Sequence, residues 1–131
     1  MDSGRFIARV RELTGFDRDR SEHLVRTTLV TLGTRIAPGE ADDLAAQLPD
    51  MLGACLQHET DASRFPPDEF TRRVARIVPL ADDQARSAIR AVFTALGEAV
   101  SEGEMRHVLT QLGGDYAPLV GAPTGRAAAG A

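Results

Sequence analysis

The chain carries one cysteine, one tyrosine and no tryptophan, and all 15 of its basic residues are arginine. A single thiol, Cys55, excludes an internal disulfide framework. The absence of lysine excludes Schiff-base chemistry and a lysine general base. With aromatics at 5%, the core must be built mainly from Leu, Val, Ile and Ala, which favours close helix packing over broad sheets. No apolar run approaches the roughly 20 residues needed to span a bilayer, and Met1–Arg5 lacks the apolar stretch of a signal peptide. These absences lead us to expect a cytoplasmic protein with no membrane partner. Acidic residues outnumber basic ones, 19 to 15, for a net charge of −4. That balance opposes binding to a phosphate backbone, which depends on dense cationic contacts, so no nucleic-acid partner is expected.

The length of 131 residues suits a single domain. Sliding the sequence against itself by 64 positions registers Phe6–Leu56 on Phe70–Val120 without a gap. The identities are Phe6/Phe70, Arg9/Arg73, Val10/Val74, Asp19/Asp83, Arg26/Arg90, Leu32/Leu96, Gly33/Gly97, Gly39/Gly103, Glu40/Glu104, Gln47/Gln111 and Leu48/Leu112. Between them the apolar exchanges are conservative and keep helical spacing. Such self-similarity is the mark of one supersecondary unit used twice. Leu24, Val25, Thr28, Leu29, Leu32 and Ile36 form one stripe of an amphipathic helix, and Ala88, Ile89, Val92, Phe93, Leu96 and Val100 form its counterpart.

A shorter helix precedes each stripe, carrying Phe6, Val10 and Leu13 or Phe70, Val74 and Ile77. Ser3 is the expected cap of the first, and Pro66-Pro67-Asp68 the start of the second. A third helix follows Pro38-Gly39-Glu40 or Ser101-Glu102-Gly103-Glu104, where Ser101 and Glu104 have the spacing of a capping box. Pro49 and Gly113-Gly114 then punctuate the chain before a short fourth helix. The fold expected is all-α: two tandem units of about four helices, 5–56 and 69–120, packed into one domain (1–120). A linker is expected over 57–67 and a disordered Gly/Ala-rich tail over 121–131.

Leu32–Ile36, Pro38–Ala41, Leu44–Pro49 and Phe65–Val74, read as Leu-Gly-x-x-Ile, Pro-Gly-Glu-Ala, Leu-Ala-Ala-Gln-Leu-Pro and Phe-x-x-Asp-Glu-Phe-x-x-Arg-Val, resemble the bacterial family known as domain of unknown function 2267. The resemblance covers about residues 5–120. It implies a helical cytoplasmic protein and no assigned activity. The second unit departs from the pattern, with Gly113 in place of the proline.

Candidate chemistry is sparse. Glu104 and His107 have the Glu-x-x-His spacing of di-iron bundles, but a second such pair is needed and the aligned positions are Glu40 and Asp43. No metal site and no cofactor are therefore expected. Cys55 and His58 lie one turn apart without an orienting partner or oxyanion donor, and Cys55 aligns with Leu119, which reads as core. Asp17–Ser21 opens like a calcium loop but lacks its Gly and Glu, and reads as a helix start. The arginines Arg5, Arg9, Arg11, Arg72, Arg73 and Arg76 read as solvated helix faces.

The duplicated polar residues remain. Arg26 and Arg90 are expected to be partly buried, each bonded to a carboxylate or to helix-end carbonyls, with Gln47 and Gln111 tying the turn after the third helix. Glu40, Glu104 and Ser101 complete the structural polar set. No catalytic residues emerge, so the function expected is a non-enzymatic protein-interaction module, binding a protein partner or a second copy. The alternative is a small-molecule or anion binder with a pocket between the units lined by Arg26, Arg90 and Tyr116.

Overall fold

Helices begin in this chain where a side-chain acceptor or a proline meets the first turn. Asp2 accepts from the Arg5 amide at 2.8 Å and Asp17 from that of Arg20 at 2.8 Å, so each satisfies a donor that the helix leaves orphaned. The first cap is thus Asp2, one residue ahead of Ser3. Pro38 and Pro67 open their helices at the position where a missing amide hydrogen is harmless. In the computed structural model, which describes residues 1–57 and 62–121, these starts yield an all-α fold.

Among the described residues the helices are α1 (Ser3–Thr14), α2 (Arg18–Arg35), α3 (Pro38–Ala45), α4 (Asp50–Leu56), α5 (Pro67–Ile77), α6 (Asp82–Ala99), α7 (Glu102–Leu112) and α8 (Ala117–Val120). A 3-10 turn over Gly114–Tyr116 leads into the last of them. The long helices α2 and α6 each span 18 residues and lie against one another. α1 packs on both α2 and α6, and α5 likewise on α6 and α2, while α4 lies on α2 and α8 on α6. α3 and α7 meet each other at one end. We call α1–α4 and α5–α8 the two halves.

One apolar cluster runs through both halves. Phe6, Val10, Leu24, Leu32 and Leu52 are sealed from solvent, as are Phe70, Val74, Ile89, Leu96 and Tyr116. At roughly 1.5–3 kcal/mol for each large side chain buried, this cluster supplies the main driving force for folding. The second half is the more aromatic. Phe70 stands 6.2 Å from Phe65, 6.1 Å from Phe93 and 6.0 Å from Tyr116 between ring centres. Phe65, placed in the expected linker, is therefore core, and Pro67 already belongs to α5. Residues 58–61, and the tail from 122 onward, lie outside the described residues. Gly121 closes α8 in the left-handed conformation, φ 66°.

Close approach explains one of the paired glycines and not the other. A Cβ on Gly33 would sit 2.3 Å from the Leu56 carbonyl oxygen, so α2 and α4 touch through backbone. A Cβ on Gly97 would meet nothing nearer than 4.0 Å. Gly33→Ala should therefore destabilise the protein by about 2–3 kcal/mol, since backbone must shift to admit the methyl. Gly97→Ala, at an exposed helical site, should stabilise it by up to about 1 kcal/mol. Urea unfolding of both variants checks the contrast; equal effects would contradict the packing described.

Candidate functional site

The polar centre of the molecule is the seam where α3 and α7 begin. Ala37 and Ser101 precede these helices, and both backbone amides need acceptors. Gln111 reaches from the second half to accept from the Ala37 amide at 3.0 Å. Gln47 reaches from the first half to accept from the Ser101 amide at 2.8 Å, and its own amide donates to the Ser101 hydroxyl at 3.4 Å. The two glutamines thus cross the seam; they do not tie the turn after their own helix, as the sequence suggested. Ser101 Oγ caps α7 by accepting from the Glu104 amide at 3.1 Å. The reciprocal half of the capping box is absent: Gln47 holds the Ser101 amide, and the Glu104 carboxylate turns elsewhere.

It turns towards Glu40. The two glutamates occupy the third position of their helices, so their side chains emerge from two helix starts that face one another. Glu104 is buried, and Glu40 Oε2 and Glu104 Oε2 are both sealed without a hydrogen-bond partner among the described residues. His107, one turn beyond Glu104, contributes its imidazole to the same cluster and is exposed on its outer side. Burial, then a hydrogen bond and repulsion from Glu104, then repulsion from Asp43, push the Glu40 carboxyl up from 4.5 to about 7.

A second polar node stands beside the seam. Arg35, in the last turn of α2, is buried, and none of the ion pairs among the described residues includes it. Its guanidinium donates to the carbonyls of Phe65 at 2.9 Å, Gln111 at 3.2 Å and Leu112 at 2.9 Å. Two of these are terminal carbonyls of α7, where a cation also meets the negative end of the helix dipole. The guanidinium lies 5.0 Å from the centre of the Tyr116 ring, and the Tyr116 hydroxyl donates to Phe65 O at 2.6 Å. Burial pushes the Tyr116 hydroxyl pKa up. Sequence comparison between the halves passed over Arg35 because its counterpart is Ala99. A usable signal was its register, three residues after Leu32 on the apolar stripe.

The residues proposed from sequence fare differently. Arg26 pairs with Glu22 at 3.1 Å on the face of α2, with its side chain 41% exposed. Arg90 is exposed, contrary to the partial burial expected, and donates to Pro118 O at 2.9 Å. Tyr116 has no exposed surface. Arg26 and Arg90 thus hold separate local partners, and Tyr116 faces Arg35 and Phe65. Cys55 is half-buried, its thiol directed at Met51 O, while His58 lies outside the described residues. Arg72 and Arg73 both pair with Glu69, at 3.1 and 2.9 Å.

The sequence profile of the family described as an uncharacterized conserved protein (DUF2267) matches residues 4–119. The chain belongs to that family. No curated protein matches it. The match spans every helix described above, α1 losing only its first residue and α8 its last, so both the seam and the Arg35 node lie inside the DUF2267 region.

Outside the polar centre, grooves with apolar lining open between helices of this DUF2267 chain, two of them of interest among the described residues. Each is formed where the last turn of a short helix meets the long helix of the other half. Leu13 lines one with Phe16, Gln84 and Ala88. Ile77 lines the other with Val30, Arg73 and Arg76. Ile77 and Val30 are 56% and 49% exposed. Among the described residues, no helix is long and apolar enough to cross a membrane.

Two outcomes follow for this region. The Glu40 carboxyl is raised in the folded state, so the stability it confers is complete below about pH 4.5 and is lost as pH passes about 7. Thermal unfolding in the presence of a chelator should give a Tm that falls across that window, and Glu40→Gln should flatten the fall. Separately, Arg35→Ala removes the buried guanidinium from the Gln111 and Leu112 carbonyls, Phe65 O keeping the Tyr116 hydroxyl, and should cost about 3 kcal/mol or more. Arg26→Ala, at a surface ion pair, should cost less than about 1 kcal/mol. Denaturant titration of the two variants checks the ranking.

Proposed function

We propose that this chain is a non-enzymatic protein-interaction module, and that its partner is an amphipathic helix of another protein seated in the groove between α2 and α5. The observation that carries the reading is the exposure of Ile77 and Val30 side by side in that groove, flanked by Arg73 and Arg76. Large apolar side chains left open at a helix–helix junction lose water when a partner's apolar stripe covers them. The rim is basic: Glu69, also lining the groove, is already engaged by Arg72 and Arg73, while Arg76 is exposed and forms no ion pair among the described residues. An acidic flank on the partner complements it. The non-enzymatic part rests on how the polar side chains are spent. Gln47, Gln111 and Ser101 serve backbone amides, and Arg35 serves carbonyls.

The alternative of a small-molecule or anion pocket built from Arg26, Arg90 and Tyr116 has weaker support, because Tyr116 is sealed in the core and each arginine has its own partner.

The test compares tagged full-length protein, the Val30→Glu/Ile77→Glu double variant and Met51→Glu, an exposed apolar site on α4, as baits in lysate of the host. Proteins retained by the wild type and by Met51→Glu but lost from the double variant support the groove. The same proteins on all three baits would sink it, as would a wild-type homodimer in light scattering that the double variant abolishes.

A further inference from the structure

The seam invites a second inference, which does not depend on the groove. A glutamate at the third position of a helix ordinarily folds back onto the cap amide. Here both cap amides are taken by glutamines from the opposite half, so Glu40 and Glu104 are released. They do not turn to solvent. Glu104 is 7% exposed, and each carboxylate has one oxygen buried without a hydrogen-bond partner among the described residues. Isolated charges are not left in this way without a compensating partner, since desolvation is too costly. His107 brings an imidazole to the same place. One ligand atom each from Glu40, Glu104 and His107 lies within 4.8 Å of the other two.

We infer that Glu40, Glu104 and His107 form a binding site for a single divalent transition-metal ion, held across the seam between the halves. Three donors around one ion at bonds of about 2.0–2.2 Å stand roughly 3–3.5 Å from each other. The cluster lies within 4.8 Å, and the two glutamates at helix starts and His107 one turn into α7 carry rotatable side chains that can close the remaining distance. The donor set decides the class of ion. Calcium and magnesium take oxygen ligands throughout, whereas an imidazole beside two carboxylates suits zinc, manganese or ferrous iron. Three protein ligands leave at least one position for water. The exposed side of His107 provides the entry path.

Electrostatics favour the ion on balance. Two helix starts oppose a cation with about half a charge each. Two carboxylates outweigh them, and Asp43 adds a third negative charge near Glu40. A divalent ion offsets this crowding of negative charge with two positive charges.

The experiment uses the full chain stripped with chelator and titrated calorimetrically with Zn2+, Mn2+ and Mg2+. The expected result is one Zn2+ or Mn2+ per chain, a raised Tm on binding, and no comparable response to Mg2+. His107→Ala and Glu104→Gln should each weaken binding at least about tenfold, the second-order effects of ligand loss being of that size or larger. His107→Ala alters an exposed side chain and will fold even where Glu104→Gln does not. His23→Ala, an exposed histidine on α2, should leave binding unchanged. Absence of saturable binding overturns the inference. Binding that survives His107→Ala at full strength overturns it too.

Discussion

Backbone amides at a helix start must find acceptors, and in this chain the acceptors for α3 and α7 come from the opposite half. Gln111 serves Ala37, and Gln47 serves Ser101. Much else at the seam follows from that exchange. It fixes α3 against α7 and brings Glu40 and Glu104 face to face. It also explains why a capping box written plainly in the sequence is only half formed. The hydroxyl of Ser101 does its part, but the carboxylate of Glu104 has been displaced by a glutamine that binds the same amide without carrying a charge.

Arg35 performs a related task at the far end of α7. Terminal carbonyls need donors as surely as initial amides need acceptors. A guanidinium, planar and always charged, supplies several at once and tolerates the neighbouring aromatic faces of Tyr116 and Phe65. Both ends of α7 are therefore finished by side chains from the first half. The aromatic cluster around Phe70 packs beneath this arrangement, so polar closure and apolar packing hold the same helix in place.

The helices were legible in the sequence because their signals are local. The stripes at Leu24–Ile36 and Ala88–Val100, the prolines at 38 and 67, and the acidic caps depend on residues within a turn or two of one another. The site was legible only in its membership. Glu40, Glu104, Gln47, Gln111 and Ser101 could be named from their recurrence, but which half each would serve depends on how α3 meets α7. Spacing along the chain does not carry that information. Arg35 stayed hidden for the complementary reason: it matters where the halves differ, and recurrence cannot register a residue whose counterpart is alanine. Glu-x-x-His at Glu104 and His107 lacks the second such pair that a di-iron bundle needs, because the aligned positions are Glu40 and Asp43. The alignment pairs Glu40 with Glu104 as equivalents, and only the packing of α3 on α7 makes them neighbours.

The crossed glutamines carry one further consequence, for folding. Neither half contains the acceptors its own third helix requires, and the first half also lacks the carbonyls that Arg35 fills. A fragment ending after α4 would expose an unanswered amide at Ala37 and a cation with no socket. The two halves should consequently melt as one cooperative unit, with no stable intermediate in which one half is ordered and the other is not.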